Sequence, residues 1–205
     1  MLKIEPRKNR SNFLEVSAPV IAVILTMIFG GFLFLSMGKN PFEAIKLIFW
    51  DPIMSPTFSE YSRPQLIIKA APLILIALGL SFGFRANIWN IGAEGQYIMG
   101  ALFSGSIGLA LYPLDAWFIF PLMILGGIIG GIFWAMIPAI LKIKFNTNEI
   151  LVSLMLVYVA EQILALASIG FLRNPEGLGF PGSRDLSKYP SASNPELIVN
   201  SGIHI

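Results

Sequence analysis

The run WFIFPLMILGGIIGGIFWAMIPAIL, Trp117 to Leu141, holds apolar residues, glycine and proline and not one charged side chain. As a helix rising 1.5 Å per residue it reaches about 37 Å, enough to cross the ~30 Å hydrocarbon layer of a bilayer. Ala18–Ser36, Leu66–Phe84, Ile91–Tyr112 and Ile150–Phe171 share its character, each with at most one charged residue. An isolated strand in lipid leaves its backbone groups unpaired, so helices are the default. The fold class is therefore all-α, a polytopic transmembrane helix bundle of about five spans.

Composition agrees. Hydrophobic residues make up 55% of the chain and charged residues 13%, against about 25% charged in a soluble domain; mean hydropathy is +0.73. A formal charge of +2 is too small to argue for nucleic acid. With no cysteine and a single histidine, His204, neither a disulfide framework nor a zinc site is expected. The first apolar run is longer than the ~7–15 residues of a signal-peptide core and no A-x-A site follows it, so it reads as a retained span.

Basic residues near span ends set the orientation. Lys3, Arg7, Lys8, Arg10, Arg85, Lys142 and Lys144 fall on one side in short segments, whereas Lys39, Lys46, Arg63, Arg173, Arg184 and Lys188 are spread along longer, acid-containing ones. This predicts a cytoplasmic segment at 1–17, a transmembrane domain at 18–171, and an outer loop at 172–205 leading to a sixth span that is absent. The chain is expected to cross a membrane several times with its N-terminus cytoplasmic. In the first outer loop, Asn40-Pro41 reads as an N-cap followed by proline at the first helical position. A short interfacial helix with Trp50 at headgroup depth should follow. Ser193 and Glu196 have capping-box spacing, which predicts a helix start there.

Between the second and third spans lies Phe84-Arg85-Ala86-Asn87-Ile88-Trp89-Asn90-Ile91-Gly92-Ala93-Glu94-Gly95-Gln96. Two glycines flank a carboxylate beside membrane sequence. That suits a broken helix presenting binding groups inside the membrane; it equally suits a first-turn carboxylate complementing the helix dipole. Further on, Gly92, Gln96, Gly100, Ser104 and Gly108 recur every four residues, a stripe that admits a neighbouring helix. Gly79 and Gly83, and the cluster Gly126-Gly127 with Gly130-Gly131, are expected to pack helices likewise. In the fifth span Tyr158 and Glu161 share a face near mid-membrane, bordering a path or bonding a partner helix. Asn146 and Glu149 read as a helix-capping pair. The phosphate-cradling pattern G-x-x-x-x-G-K-[ST] is missing from the sequence, so no nucleotide cofactor is expected on this chain.

Asn90–Gln96 with Phe84-Arg85-Ala86 before it, Asn148–Leu156, Leu172–Gly177 with Phe180-Pro181, and Ile203-His204-Ile205 together resemble the ABC-importer permeases for simple sugars and nucleosides, nearest the nucleoside branch. The resemblance implies a transport subunit with Asn90, Gly92, Glu94 and Gln96 at or near the solute path; Tyr158 and Glu161 are candidates for that path by their mid-membrane position alone. It implies a cytoplasmic ATPase subunit that uses ATP and Mg²⁺, a second permease subunit in a heterodimer, a substrate-binding lipoprotein or periplasmic protein, and membrane lipid around the whole. This chain would be the N-terminal half. It departs from the family at Val157, where asparagine is usual, and at Glu161, where an apolar residue is. A truncated or split permease without transport of its own and a proton-coupled carrier using Glu161 are the competing readings.

Overall fold

The computed structural model describes residues 12–186, 189–193, 196–198 and 203–204; the basic residues at 3–10 and Lys188 lie outside them. The chain forms two compact units that meet in sequence between Ile67 and Ile68.

The first unit begins with α1, Asn12–Ser36. After Gly38, which has φ +70°, the chain enters α2, Pro41–Ile45, a π-helical turn, Lys46–Trp50, and α3, Asp51–Met54. The expected cap is present: Asn40 Oδ1 accepts the Phe42 N–H at 3.0 Å, and Pro41, which has no N–H to leave unpaired, sits in the first turn. Phe42, Leu47, Phe49 and Trp50 are exposed, as an interfacial helix requires. The Arg63 guanidinium, early in α4 (Ser59–Arg85), closes the segment by donating to the Ile53 carbonyl at 2.6 Å.

The second unit holds the rest of α4, then α5, Ala93–Ala110, α6, Ile119–Phe145, and α7, Glu149–Ile169. Among the described residues four helices are long and apolar enough to cross a membrane: Val16–Ser36, Ser59–Arg85, Ile119–Phe145 and Glu149–Ile169. The predicted span Ile91–Tyr112 becomes the shorter α5, whose glycines, serines, Glu94 and Gln96 dilute its apolar content. It tolerates this composition because α6 and α7 pack along it and take much of the place of lipid.

That packing is glycine against backbone. A Cβ added at Gly100 would stand 3.0 Å from the Gly127 carbonyl oxygen, and Gly127 and Gly131 in turn lie against Gly100, Ser104 and Gln96 of α5. Gly130 receives the Phe103 ring, Gly126 the Ile107 side chain, and Gly108 the Met123 sulfur. Backbones this close gain dispersion along their whole length, which is how helices associate where lipid is as apolar as leucine. Met99, Trp134 and Ala160 form the buried centre of the three helices.

Helix ends follow local chemistry. At the end of α4, Asn87 adopts φ +57°, the Ile88 N–H bonds the Gly83 carbonyl at 2.9 Å and the Asn87 N–H bonds Phe84 at 3.1 Å. This is a Schellman motif with asparagine in the left-handed position. Asn146, expected to cap α7, instead ends α6 at φ +51°; Asn148 caps α7 by accepting from the Ile150 and Leu151 N–H groups. The connection leaves no room for a separate capping box, and Glu149 turns to Lys142 instead.

At the opposite end, the segment after α7 folds back over the α5–α6 turn. Buried Tyr189 packs with Ile119, Met123 and Ala192, and its hydroxyl reaches the carbonyls of Leu111 (3.2 Å) and Leu114, its one proton serving one of them at a time. Ser191 donates to Asp115 and accepts the Ala116 N–H at 3.2 Å. The helix expected at Ser193–Glu196 is not formed; Glu196–Ile198 is a strand pairing antiparallel with Ile203–His204.

Gly100→Val forces the α5 and α6 backbones apart and should cost about 1–3 kcal/mol or more. Gly105→Val, at a site with nothing within 4 Å, should cost little; thermal unfolding of the detergent-solubilised protein separates the two. Burial, then the charge of Asp115, then Tyr112, raise the Tyr189 phenol above its ordinary range. Its contribution to stability is thus complete below the unfolded phenol pKa of about 10 and lost as pH rises through the raised folded value. Unfolding measured across that range should show this alkaline loss, and Tyr189→Phe should remove it.

Candidate functional site

The candidate site is the entry to α5. Ile91 and Gly92 approach α7 so closely that a Cβ on Gly92 would lie 2.8 Å from the Ser153 carbonyl oxygen. The Ser153 hydroxyl, itself buried, accepts the Ile91 N–H at 3.2 Å and donates to the Ile150 carbonyl at 3.1 Å. One turn on, Gly95 sits where a Cβ would be 3.1 Å from Val157 Cα and 3.2 Å from Trp134 Nε1. The Trp134 indole is buried and its N–H has no hydrogen-bond partner among the described residues. Neither Ser153 nor Trp134 stood out in the sequence, although Ser153 lies within the Asn148–Leu156 motif.

Asn90 organises the turn. Its Oδ1 accepts the Gly92 N–H at 2.9 Å, which fixes the orientation of the amide because a backbone N–H can only donate. Its Nδ2 therefore faces Gln96 and donates to Oε1 at 3.2 Å. Asn90 and Gln96 line two cavities. One, of about 600 Å³, lies between α4 and the α5–α6 pair, with Gly79 and Gly83 on one wall and Gly127 and Gly131 opposite. The other, of about 450 Å³, opens toward the α4–α5 and α6–α7 turns and is lined by Asn87, Trp89, Lys142, Glu149 and Ser153. The hydrogen-bonded amides stand at the border of the two. Lys142 Nζ meets Glu149 Oε2 at 2.9 Å, so the charges bordering the second cavity cancel, and what the walls offer is uncharged hydrogen bonding beside aliphatic and aromatic surface.

The remaining candidates lie elsewhere. Glu94 is exposed in the first turn of α5 and borders neither cavity. Tyr158 and Glu161 share the exposed side of α7, whose packed side carries Ser153, Val157, Ala160 and Ala167. Gly79 has nothing within 4 Å of its Cβ position, and Gly83 meets only the Ile88 carbonyl of its own turn; α4 packs no helix through them among the described residues. No group of three or more His, Cys, Asp or Glu side chains suited to a metal occurs among the described residues.

Residues 62–197 match the family described as branched-chain amino acid transport system / permease component. The chain is similar to the glucose ABC transporter permease protein TsgB13 of Haloferax volcanii, 32% identical over 91% of this chain and 47% of that protein. It is similar to the guanosine ABC transporter permease protein NupP of Bacillus subtilis, 32% identical over 69% of this chain and 39% of that one. With the nucleoside ABC transporter permease protein NupB of Lactococcus lactis it shares 28% identity over 71% of this chain and 39% of the relative. The chain thus spans less than half the length of these relatives. No solved structure matches it.

Asn90→Ala leaves the Gly92 N–H and the Gln96 amide without their partner and should destabilise the protein by about 1–3 kcal/mol. Asn90→Asp keeps the acceptor for Gly92 and should lose less. Thermal unfolding of the three proteins side by side gives the order.

Proposed function

The chain belongs to the branched-chain amino acid transport system / permease component family, and from that premise we propose that it is a permease subunit of an ATP-binding cassette importer for simple sugars or nucleosides. The observation that carries the reading is the Asn90–Gln96 amide pair at the border of two cavities, on a helix entry held rigidly by α7. Uncharged amides beside aliphatic and aromatic walls suit a neutral solute rich in hydroxyl or ring-nitrogen groups, and the relatives named for glucose, nucleosides and guanosine support that class. Solute contact is assigned to Asn90 and Gln96. Gly92 positions them, and Glu94, Tyr158 and Glu161 face further helices or subunits.

In this reading the two cavities are the two sides of an alternating-access path, and parting the amides opens one to the other. ATP and Mg²⁺ act on a separate cytoplasmic ATPase subunit. A second permease subunit and a substrate-binding lipoprotein or periplasmic protein complete the machine. The chain lies in the cell membrane with its N-terminus cytoplasmic, which puts Arg85, Lys142 and Lys144 on the basic inner side. Residues 18–171 then form half of the transmembrane domain, and the segment from 172 an outer loop.

The test is uptake of labelled guanosine and glucose by proteoliposomes holding the complete complex. Uptake should require ATP hydrolysis and persist with an uncoupler. Gln96→Ala, which removes one contact of about 0.5–1.5 kcal/mol, should slow it roughly 3- to 10-fold. Collapse on uncoupling while ATP is maintained would favour a proton-coupled carrier built on Glu161 instead.

A further inference from the structure

Most glycines of α5 and α6 are seated against backbone or side-chain atoms of the facing helix; Gly105 and, on α4, Gly79 have nothing within 4 Å, and of these two only Gly79 borders the larger cavity. Ile76 and Leu80 border the same cavity, both on one side of Gly79 around the helix, as does Gly83 one turn on. The result is a flat glycine strip beside one aliphatic rim, looking across about 600 Å³ toward Asn90 and Gln96. Those amides also wall the second cavity, so parting them would join the two, as the importer reading requires.

We propose that Gly79 is the size-determining position of this path, the flat strip receiving the apolar face of a ring-shaped neutral solute while the opposing amides bond its polar edge. This rests on the importer reading and adds to it a residue whose missing side chain makes the room. A Cβ there meets no atom within 4 Å among the described residues, so a larger side chain should narrow the passage without disturbing the fold.

The chain has no cysteine, which permits a test that does not depend on transport. In membrane vesicles carrying the complete complex, Gly79→Cys should react with a charged, water-soluble maleimide, and guanosine or glucose should slow the reaction. Leu78→Cys, exposed on the bundle surface outside the cavity, should stay unreactive. In the uptake assay Gly79→Leu should cut the initial rate at least tenfold and Gly79→Ala by less, with complex assembly unchanged. A Gly79→Cys as inert as Leu78→Cys would overturn the proposal. So would a Gly79→Leu that transports at the unmodified rate, or one that no longer assembles, which would make the slot a helix seat. Failure of the importer reading would show separately, as no ATP-driven uptake by the unmodified complex; the alkylation result then decides alone whether Gly79 faces a water-filled path.

Discussion

Everything at the α5 entry depends on one approach, the seat of Gly92 on the Ser153 carbonyl, where a Cβ would stand 2.8 Å away. Any side chain larger than hydrogen would lift Ile91 off the Ser153 hydroxyl and strand its N–H in an apolar setting. With Ile91 and Gly92 fixed, Asn90 has one low-energy arrangement, its oxygen on Gly92 and its nitrogen on Gln96. The polar groups that matter are thus held by backbone contacts that lipid cannot replace. Ser153 belongs to α7 and Gln96 to α5, so the same seat joins the site to the bundle.

The bundle divides its labour. Along α5, Gly100 facing Gly127 and Gly131 brings α6 to backbone contact, and the loop after α7 ties the far end through Tyr189 and Ser191. These make α5, α6, α7 and the loop after α7 one packed body. The second half of α4 is different in kind: across from it lies a cavity rather than a helix face. A rigid body beside an open slot is an arrangement in which a path can change width without a core being repacked.

Hydropathy alone made the spans legible, because a charge-free run such as Trp117–Leu141 has one inexpensive environment. The Asn40 cap followed from its side-chain chemistry and was equally plain. Facing was harder. Tyr158 and Glu161 share a face by spacing, but spacing does not say whether that face is packed. The packed side of α7 is marked by Ser153, Val157, Ala160 and Ala167, compact residues at helical intervals, a signal weaker to the eye than a glutamate in a membrane. Glycine stripes carry the same ambiguity: Gly100 and Gly79 look alike in sequence, yet one closes a helix contact and the other lines a void. The Lys142–Glu149 pair and the anchoring of Tyr189 depend on how the chain reverses between elements, which no periodicity records.

An electron cryo-microscopy structure of the full complex, trapped with guanosine or glucose during turnover, would show where solute sits. Solute density is expected between α4 and α5, within hydrogen-bonding distance of Asn90 or Gln96. Solute lodged along other helices, with the Asn90–Gln96 bond sealed against protein on both sides, would contradict that placement.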